Sequence, residues 1–314
     1  MKISSVAYTL GSKKETLIDL KKDNPDWDVD LIYSKTGVSI RHRNAHQDTA
    51  LTLARKSGLE VLKNQDVASI EGLIYITQSP DHHIPATACI LHEQLNLPAN
   101  TFAFDLNQGC SGFVYGLSVA SSMMQAHNNK KILIICSETY KDYIDKHDRT
   151  NRPIFSDGAS AVILTNESSG TIGPFVFMTD GKGAPNLTLL DKSGEDKASK
   201  VLFMDGPKVL MFTMANIPRA TKELLQKDNM TLDDIDLFIY HQASTVVLDN
   251  IQRILKIPNH KFLRHIDKVG NTVSSTIPIV LCEAIKEGKI KPNMKILLMG
   301  FGVGYSLAGS IMRT

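Results

Sequence analysis

Apolar segments that recur 164 residues apart constrain the fold more than any other feature of this chain. GLIYITQS (72–79) and DLFIYHQAS (236–244) are continuous hydrophobic runs that each end at a glutamine, Gln78 and Gln242. KKILIICSE (130–138) and MKILLMGFG (294–302) pair at the same offset, Lys131 against Lys295. Between them lie TFAFDLNQGCSGF (101–113) and FLRHIDKVGNTVSS (262–275), where Asp105 and Asp267 are offset by 162, so the loops differ slightly in length. Unbroken apolar runs read as strands buried on both faces. VYGLSVASSMMQA (114–126) carries apolar residues at 114, 117, 120, 123 and 124, one face of a helix. TIPIVLCEAIKEG (276–288) reads as a second helix that stops at a glycine. Strands alternating with helices predict an α/β fold of mostly parallel sheets covered on both sides. A period this long is no solenoid repeat; it implies two similar α/β halves. NESSGTIG (166–173) is the best linker signal and predicts halves 1–166 and 167–314. DGKGAPN (180–186) reads as a turn cluster inside the second half.

Composition narrows the function classes. The 314 residues are 42% hydrophobic with a formal net charge of +2, so no field argues for nucleic acid. The densest charge run, KKETLIDLKKD (13–23), reads as a solvated helix face. Cys89, Cys110, Cys136 and Cys282 form no C-x-x-C and no metal spacing, which predicts free thiols in a reducing compartment. No apolar run approaches about 18 residues, and MKISSVAYTLGSKKE lacks a signal-peptide core; the expectation is a soluble cytoplasmic protein without a membrane span. His42, His46, His92 and HHIP (82–85) lack regular ligand spacing, so no metal site is expected. GFGVG (300–304) lacks the third glycine of a dinucleotide fingerprint, and Gln108 breaks the nucleophile-elbow pattern around Gly109-Cys110-Ser111-Gly112.

In open α/β sheets, sites form beyond the carboxyl ends of strands. Cys110, His241 and Asn271 all fall at or after such ends. Each has a passive reading: an inert core cysteine, a histidine satisfied by backbone bonds, a turn or capping asparagine. Cys89, Cys136 and Cys282 fit the inert reading, each within an apolar strand or helix face. Cys110 fits it poorly, because it sits in a glycine-flanked turn before a helix, where the helix start favours a thiolate. The repeat sets equivalent strand ends around a shared cleft. Cys, His and Asn there amount to an activated nucleophile and two hydrogen-bond donors.

These residues together resemble the 3-oxoacyl-acyl-carrier-protein synthase III family, of the thiolase fold. The matching segments are KTGVSIRHR (35–43), FDLNQGCSGFVYGLSVA (104–120), CSE (136–138), DRTNRPIFSDGASAVIL (148–164), YHQAS (240–244), VGNTVSS (269–275) and IKEGKIKPNMKILLMGFGVGYSLAG (285–309). The resemblance implies a layered α-β-α-β-α core. It implies that Cys110 takes an acyl group from a thioester and that the amides of Cys110 and Val303 hold the oxyanion. It further implies that His241 and Asn271 stabilise the enolate left when a malonyl thioester loses carbon dioxide. The product is a 3-oxoacyl thioester, made without a cofactor; acyl-CoA or acyl-ACP, and malonyl-ACP, are substrates. Phe301 matches a residue that shapes the malonyl site. Ile84 matches one that closes the partner subunit's acyl pocket, which implies a homodimer. Lys35, Arg149 and Ser244 fall at substrate-binding positions.

Several positions depart from the family pattern. Leu31 stands where the family has a tryptophan that stacks the CoA adenine against the residue matched by Arg149, and Lys35 stands for an arginine. Trp27 lies four residues upstream and is not expected to compensate. Ser244 and Val246 replace an asparagine and a basic residue, which weakens the CoA and carrier-protein contacts, and Val303 replaces a glycine. These departures suggest a specialised member with an unusual acyl donor delivered by a carrier protein. Two other readings stay open at this level: an acyltransferase passing acyl from Cys110 to a hydroxyl or amine, and a non-catalytic partner of an active synthase. The path of residues 180–205, which affects acyl length, is not legible.

Overall fold

A computed structural model of the protein describes residues 1–45, 48–166, 170–191 and 200–314. In chain order the elements are β1 (Lys2–Leu10), β2 (Lys13–Thr16), α1 (Leu17–Asp23), α2 (Val29–Thr36), β3 (Ile40–Arg43), α3 (Ala50–Leu62), β4 (Gly72–Ile76), α4 (Thr87–Gln94), β5 (Phe102–Leu106), α5 (Gly112–His127) and β6 (Lys131–Glu138). They continue with β7 (Gly158–Thr165), β8 (Thr171–Thr179), β9 (Leu187–Asp191), β10 (Lys200–Met204), α6 (Gly206–Lys227), β11 (Leu237–Tyr240), α7 (Thr245–Leu255), α8 (Thr276–Lys286), β12 (Lys295–Gly302) and β13 (Ser306–Arg313).

Two sheets carry the architecture. One has the order β1-β7-β6-β4-β5, the other β11-β12-β13-β8; β9/β10 and β2/β3 are separate pairs. The apolar runs explain the layering, because successive strand residues face opposite sides. Ile74 and Ile76 of β4 pack inward with Phe113, Val114 and Leu117 of α5, alongside Ile277, Val280 and Leu281 of α8 and Ile239, Ile296 and Leu298 of the other sheet. Leu73 and Tyr75, the alternate residues of β4, pack outward on Ala54 and Val61 of α3 and Ala88 and Leu91 of α4. Phe238, Tyr240, Leu297 and Met299 face Ile217 and Leu224 of α6 and Leu248 and Ile251 of α7 in the same way. The result is the expected α-β-α-β-α stack, with α5 and α8 in the middle layer.

The sheets are mixed rather than mostly parallel. β6, β4 and β5 run parallel, as do β11 and β12, but β1–β7–β6 and β12–β13–β8 are antiparallel. For β12 and β13 the cause is connection length. Parallel neighbours need a crossover of about a dozen residues or more. Residues 303–305 leave room only for a tight turn between them. Periodicity reports burial, not direction, so the sequence could not show this.

Cys136 and Cys282 are buried as expected, but Cys89 is exposed. On the short helix α4 the inward face is Thr87, Ala88 and Leu91, and position 89 lies off it. Trp27 is buried against Leu20 and Ile32, so it offers no replacement ring at Leu31, which is exposed. The run 13–23 forms β2 and α1, with its lysines on the surface. Within 180–205, Gly181–Asn186 makes a 3₁₀ turn leading into the β9/β10 pair. Residues 192–199 of that loop, 167–169 of the linker signal, and His46 lie outside the described residues. Among the described residues no helix is long and apolar enough to cross a membrane.

Candidate active site

Cys110 sits in the turn between β5 and α5, closed by a 2.7 Å bond from the Gly112 amide to the Gly109 carbonyl. The C-terminal end of β12 runs directly over it. A Cβ on Gly300 would lie 2.6 Å from the Cys110 carbonyl oxygen, and one on Gly302 would lie 3.0 Å from Cys110 Cβ and 3.1 Å from Sγ. Only glycine backbone permits this approach. Two hydroxyls tie the facing turns together: Ser111 Oγ and Ser306 Oγ are 2.7 Å apart, and Ser306 Oγ donates to the Val303 carbonyl at 2.8 Å. Among the described residues, no backbone carbonyl accepts from the amide of Cys110 or of Val303.

The thiol is only 7% exposed and packs with Tyr140, Phe155, Leu187 and Val273. Burial pushes its pKa upward, with a further push from nearby Glu138. The thiolate expected at a helix start is therefore not favoured here. Burial works against the charged form, and α5 begins two residues later, at Gly112.

His241 follows β11 directly and donates its amide to the Met299 carbonyl at 2.9 Å. Its Nδ1 lies 2.7 Å from Thr276 Oγ1, and the Phe301 ring meets the imidazole edge-on at 5.4 Å. Burial lowers its pKa to about 3, so the ring is neutral at neutral pH. Asn271 is clamped through its backbone to Ile154 and Ser156, both bonds at 2.9 Å. Its side-chain Oδ1 accepts the Val273 amide at 2.8 Å. That bond requires oxygen on this side, so the Nδ2 donor points the other way.

The structure brings Cys110, His241 and Asn271 to the wall of one cavity of about 400 Å³. Lys35, Ser244, Phe301 and Gly302 line it too, and its remaining lining includes Val246, Val247 and Leu210. Ser244 also caps α7, accepting the Val247 amide at 3.3 Å. Arg149 and Ile84 are not among the lining residues; Arg149 is exposed and Ile84 is 90% exposed. A second cavity of about 300 Å³ is walled by Tyr140, Tyr143, Leu189, Leu202 and Val303; Leu187 borders both.

Sequence reasoning missed Glu138. Its buried carboxyl accepts from the Gln78 amide at 3.1 Å, Ser79 Oγ at 2.9 Å and Ser274 Oγ at 3.0 Å. Burial still pushes its pKa up to about 8, against the lowering by these donors. It thus joins the ends of β4 and β6 to the loop that carries Asn271. The available signal was a lone acidic residue closing the apolar strand KILIICSE. Thr276 gave no signal, since it reads as one more residue of an apolar helix start.

Alanine at Gly302 is a sharp test of the close approach. Its φ of 159° is unfavourable for a side chain, and the new Cβ would press on Sγ. The sulfur would have to give by a few tenths of an ångström, less than the ~1 Å misplacement that costs about a hundredfold. The rate of Cys110 acylation in Gly302→Ala should fall by about tenfold, read by rapid quench and mass spectrometry. An unchanged rate would mean the sulfur does not have to sit where β12 places it.

Solved structures place this architecture. A 3-oxoacyl-(acyl-carrier-protein) synthase III superposes with a TM-score of 0.94 at 35% identity, covering 100% of this chain and 99% of that one. The 3-oxoacyl-[acyl-carrier-protein] synthase III of Aquifex aeolicus VF5 does so with 0.92 at 28% identity, covering 100% and 99%. The chain is a condensing enzyme of the thiolase-like fold. The model of 3-oxoacyl-[acyl-carrier-protein (ACP)] synthase III matches residues 104–181, and the model of its C terminal matches residues 225–314. Beta-ketoacyl-[acyl-carrier-protein] synthase III of Clostridium tetani is 32% identical, covering 92% of this chain and 90% of its own. The synthase III 2 of Bacillus anthracis is 33% identical over 95% and 91%. This chain belongs to the beta-ketoacyl-ACP synthase III family.

Proposed function

We propose that Cys110, His241 and Asn271 carry out a decarboxylating condensation that extends an acyl group by two carbons in fatty acid biosynthesis. The observation that carries this reading is that all three side chains line a single cavity. Cys110 Sγ attacks the carbonyl of an acyl thioester, and the amides of Cys110 and Val303 receive the oxyanion. The thiol proton leaves with the departing thiol. The malonyl thioester then binds with its carbonyl oxygen toward His241 and Asn271. Carbon dioxide departs, and both donors tighten as charge moves onto that oxygen. A neutral histidine suits this role, since it gains strength only as the enolate forms. The enolate carbon attacks the acyl-Cys110 carbonyl, the tetrahedral intermediate expels the thiolate, which takes up a proton from solvent to regenerate the thiol, and a 3-oxoacyl thioester is released. Phe301, edge-on to His241, shapes the malonyl end. The cavity bordered by Tyr140 and Leu202 takes the acyl chain.

The relatives' name places the beta-ketoacyl product on acyl-carrier protein; the acyl donor in this reading is a carrier-protein thioester as well, because the features that would hold CoA are missing. Leu31 supplies no ring for an adenine, Trp27 is buried elsewhere, and Arg149 lies outside the cavity wall. Lys35 and Ser244 stay at the entrance, with Val246 and Val247 making it apolar. Incubation with matched acyl-CoA and acyl-ACP donors, followed by intact-mass analysis, should give the Cys110 adduct faster from ACP. Addition of carboxyl-labelled malonyl-ACP should then release label. Equal acylation from both donors sinks the donor assignment, and no label release sinks the condensation.

The same reading makes the protein a homodimer of two-half chains, 1–166 and 167–314, with free cysteines fitting a reducing cytoplasmic setting. Among the described residues β5 ends its sheet with one edge unpaired, and such edges invite pairing. The strongly exposed Ile84 would then close the partner's acyl cavity. Sedimentation should report a dimer, with Ile84→Asp changing acyl-length preference; a monomeric active enzyme contradicts this.

A further inference from the structure

Resting on the assignment of His241 as an enolate donor, we propose that Thr276 is a positioning residue that sets the His241 tautomer: its hydroxyl donates to Nδ1 and so keeps the ring proton on Nε2, the nitrogen left to the cavity.

Thr276 is the first residue of α8 and is buried. Its single hydroxyl proton has two acceptors within reach, His241 Nδ1 at 2.7 Å and the Val273 carbonyl at 3.2 Å. The first distance is the usual one for a hydroxyl donor, and the second lies beyond the usual range. A 2.7 Å contact fits either donor direction; with the hydroxyl proton on this shorter contact, Nδ1 acts as acceptor. A neutral imidazole carries one N–H, which leaves the donor on Nε2. The ring stays neutral because burial lowers its pKa to about 3. The opposite arrangement, with Nδ1–H donating to Thr276 and the hydroxyl turned to Val273, would put a lone pair on Nε2. Such a histidine repels an enolate oxygen and serves instead as a base. One hydroxyl thus separates an enolate donor from a thiol base. Thr276 also lies five residues after Asn271 on the loop that orients Asn271, so both donors are set from one segment.

Thr276→Val keeps the shape and removes the hydroxyl; Thr276→Ser keeps the hydroxyl. Removing a whole oxyanion donor costs about 10²–10³-fold, and a mixed tautomer costs less. Decarboxylation of malonyl-ACP and steady-state condensation should fall about 10–100-fold in Thr276→Val. The rate of Cys110 acylation should change less than about twofold, and Thr276→Ser should recover most of the loss. ¹⁵N-histidine NMR of the wild-type protein, with the His241 signals assigned by their loss in His241→Ala, should show the proton on Nε2. This readout needs no folded Thr276 variant. Protonation at Nδ1, wild-type decarboxylation in Thr276→Val, or a loss confined to acylation each overturns the proposal. Undiminished decarboxylation in His241→Ala would instead remove the assignment of His241 on which it rests.

Discussion

Exchange of Cys110 for alanine is expected to erase the acyl-enzyme and lower condensation by on the order of 10⁵–10⁶-fold, the scale on which loss of a covalent nucleophile acts. The fold should survive. The sulfur is buried beside Phe155 and Val273, and deleting one buried atom costs about 1 kcal/mol, a fall of about 2–4 °C in Tm for a domain of this size. Circular dichroism melting separates that small shift from the kinetic loss. Slow carbon dioxide release from malonyl-ACP should persist, because His241 is held by Thr276 and Asn271 by Val273, and neither contact involves the sulfur. Intact-mass analysis should show no acyl adduct. A remaining adduct would direct attention to another cysteine, and Cys89, exposed on α4, is the accessible one. Loss of decarboxylation together with condensation would mean that the sulfur takes part in the malonyl step.

The sequence made the site legible through its strand ends. A run such as LFIY can only be buried on both faces, so the residue after it emerges at a sheet edge, and that residue is His241. Cys110 lies four residues beyond the end of β5, whereas Asn271 was expected after a strand and instead sits on a loop before α8 that no strand directly precedes. Strand direction was illegible, because hydrophobic alternation is identical in parallel and antiparallel neighbours; β12 and β13 are antiparallel only because three residues join them. The burial of the Cys110 thiol was illegible for a related reason. The turn and helix start around Cys110 are local and visible, whereas the desolvation comes from Phe155, Leu187 and Val273, remote in sequence. Glu138 was hidden likewise, since its donors Gln78, Ser79 and Ser274 converge from three segments. Cys89 shows the limit in the other direction: an apolar neighbourhood in sequence did not put it on the inward face of an eight-residue helix.

His241→Ala and Asn271→Ala should each divide the reaction in two. The acyl-enzyme should form at near the wild-type rate and accumulate, while carbon dioxide release falls by about 10²–10³-fold, the cost of one oxyanion donor. The division follows from where the two groups point. The amides of Cys110 and Val303 serve the acyl carbonyl, whereas the Asn271 side chain, with Oδ1 fixed on the Val273 amide, presents Nδ2 to the cavity. Neither variant should unfold. His241 is neutral, so its removal strands no buried charge, and Asn271 keeps its backbone bonds to Ile154 and Ser156. The double variant distinguishes independent from joint action. Two donors on one developing oxygen act as a unit, and effects within a unit are strongly non-additive. The double variant should therefore decarboxylate only slightly more slowly than either single one. If the losses multiply instead, the two side chains act on different atoms or in different steps. If His241→Ala slows acylation as much as decarboxylation, the ring also takes the thiol proton, and the raised pKa of Cys110 becomes the reason the enzyme needs it to.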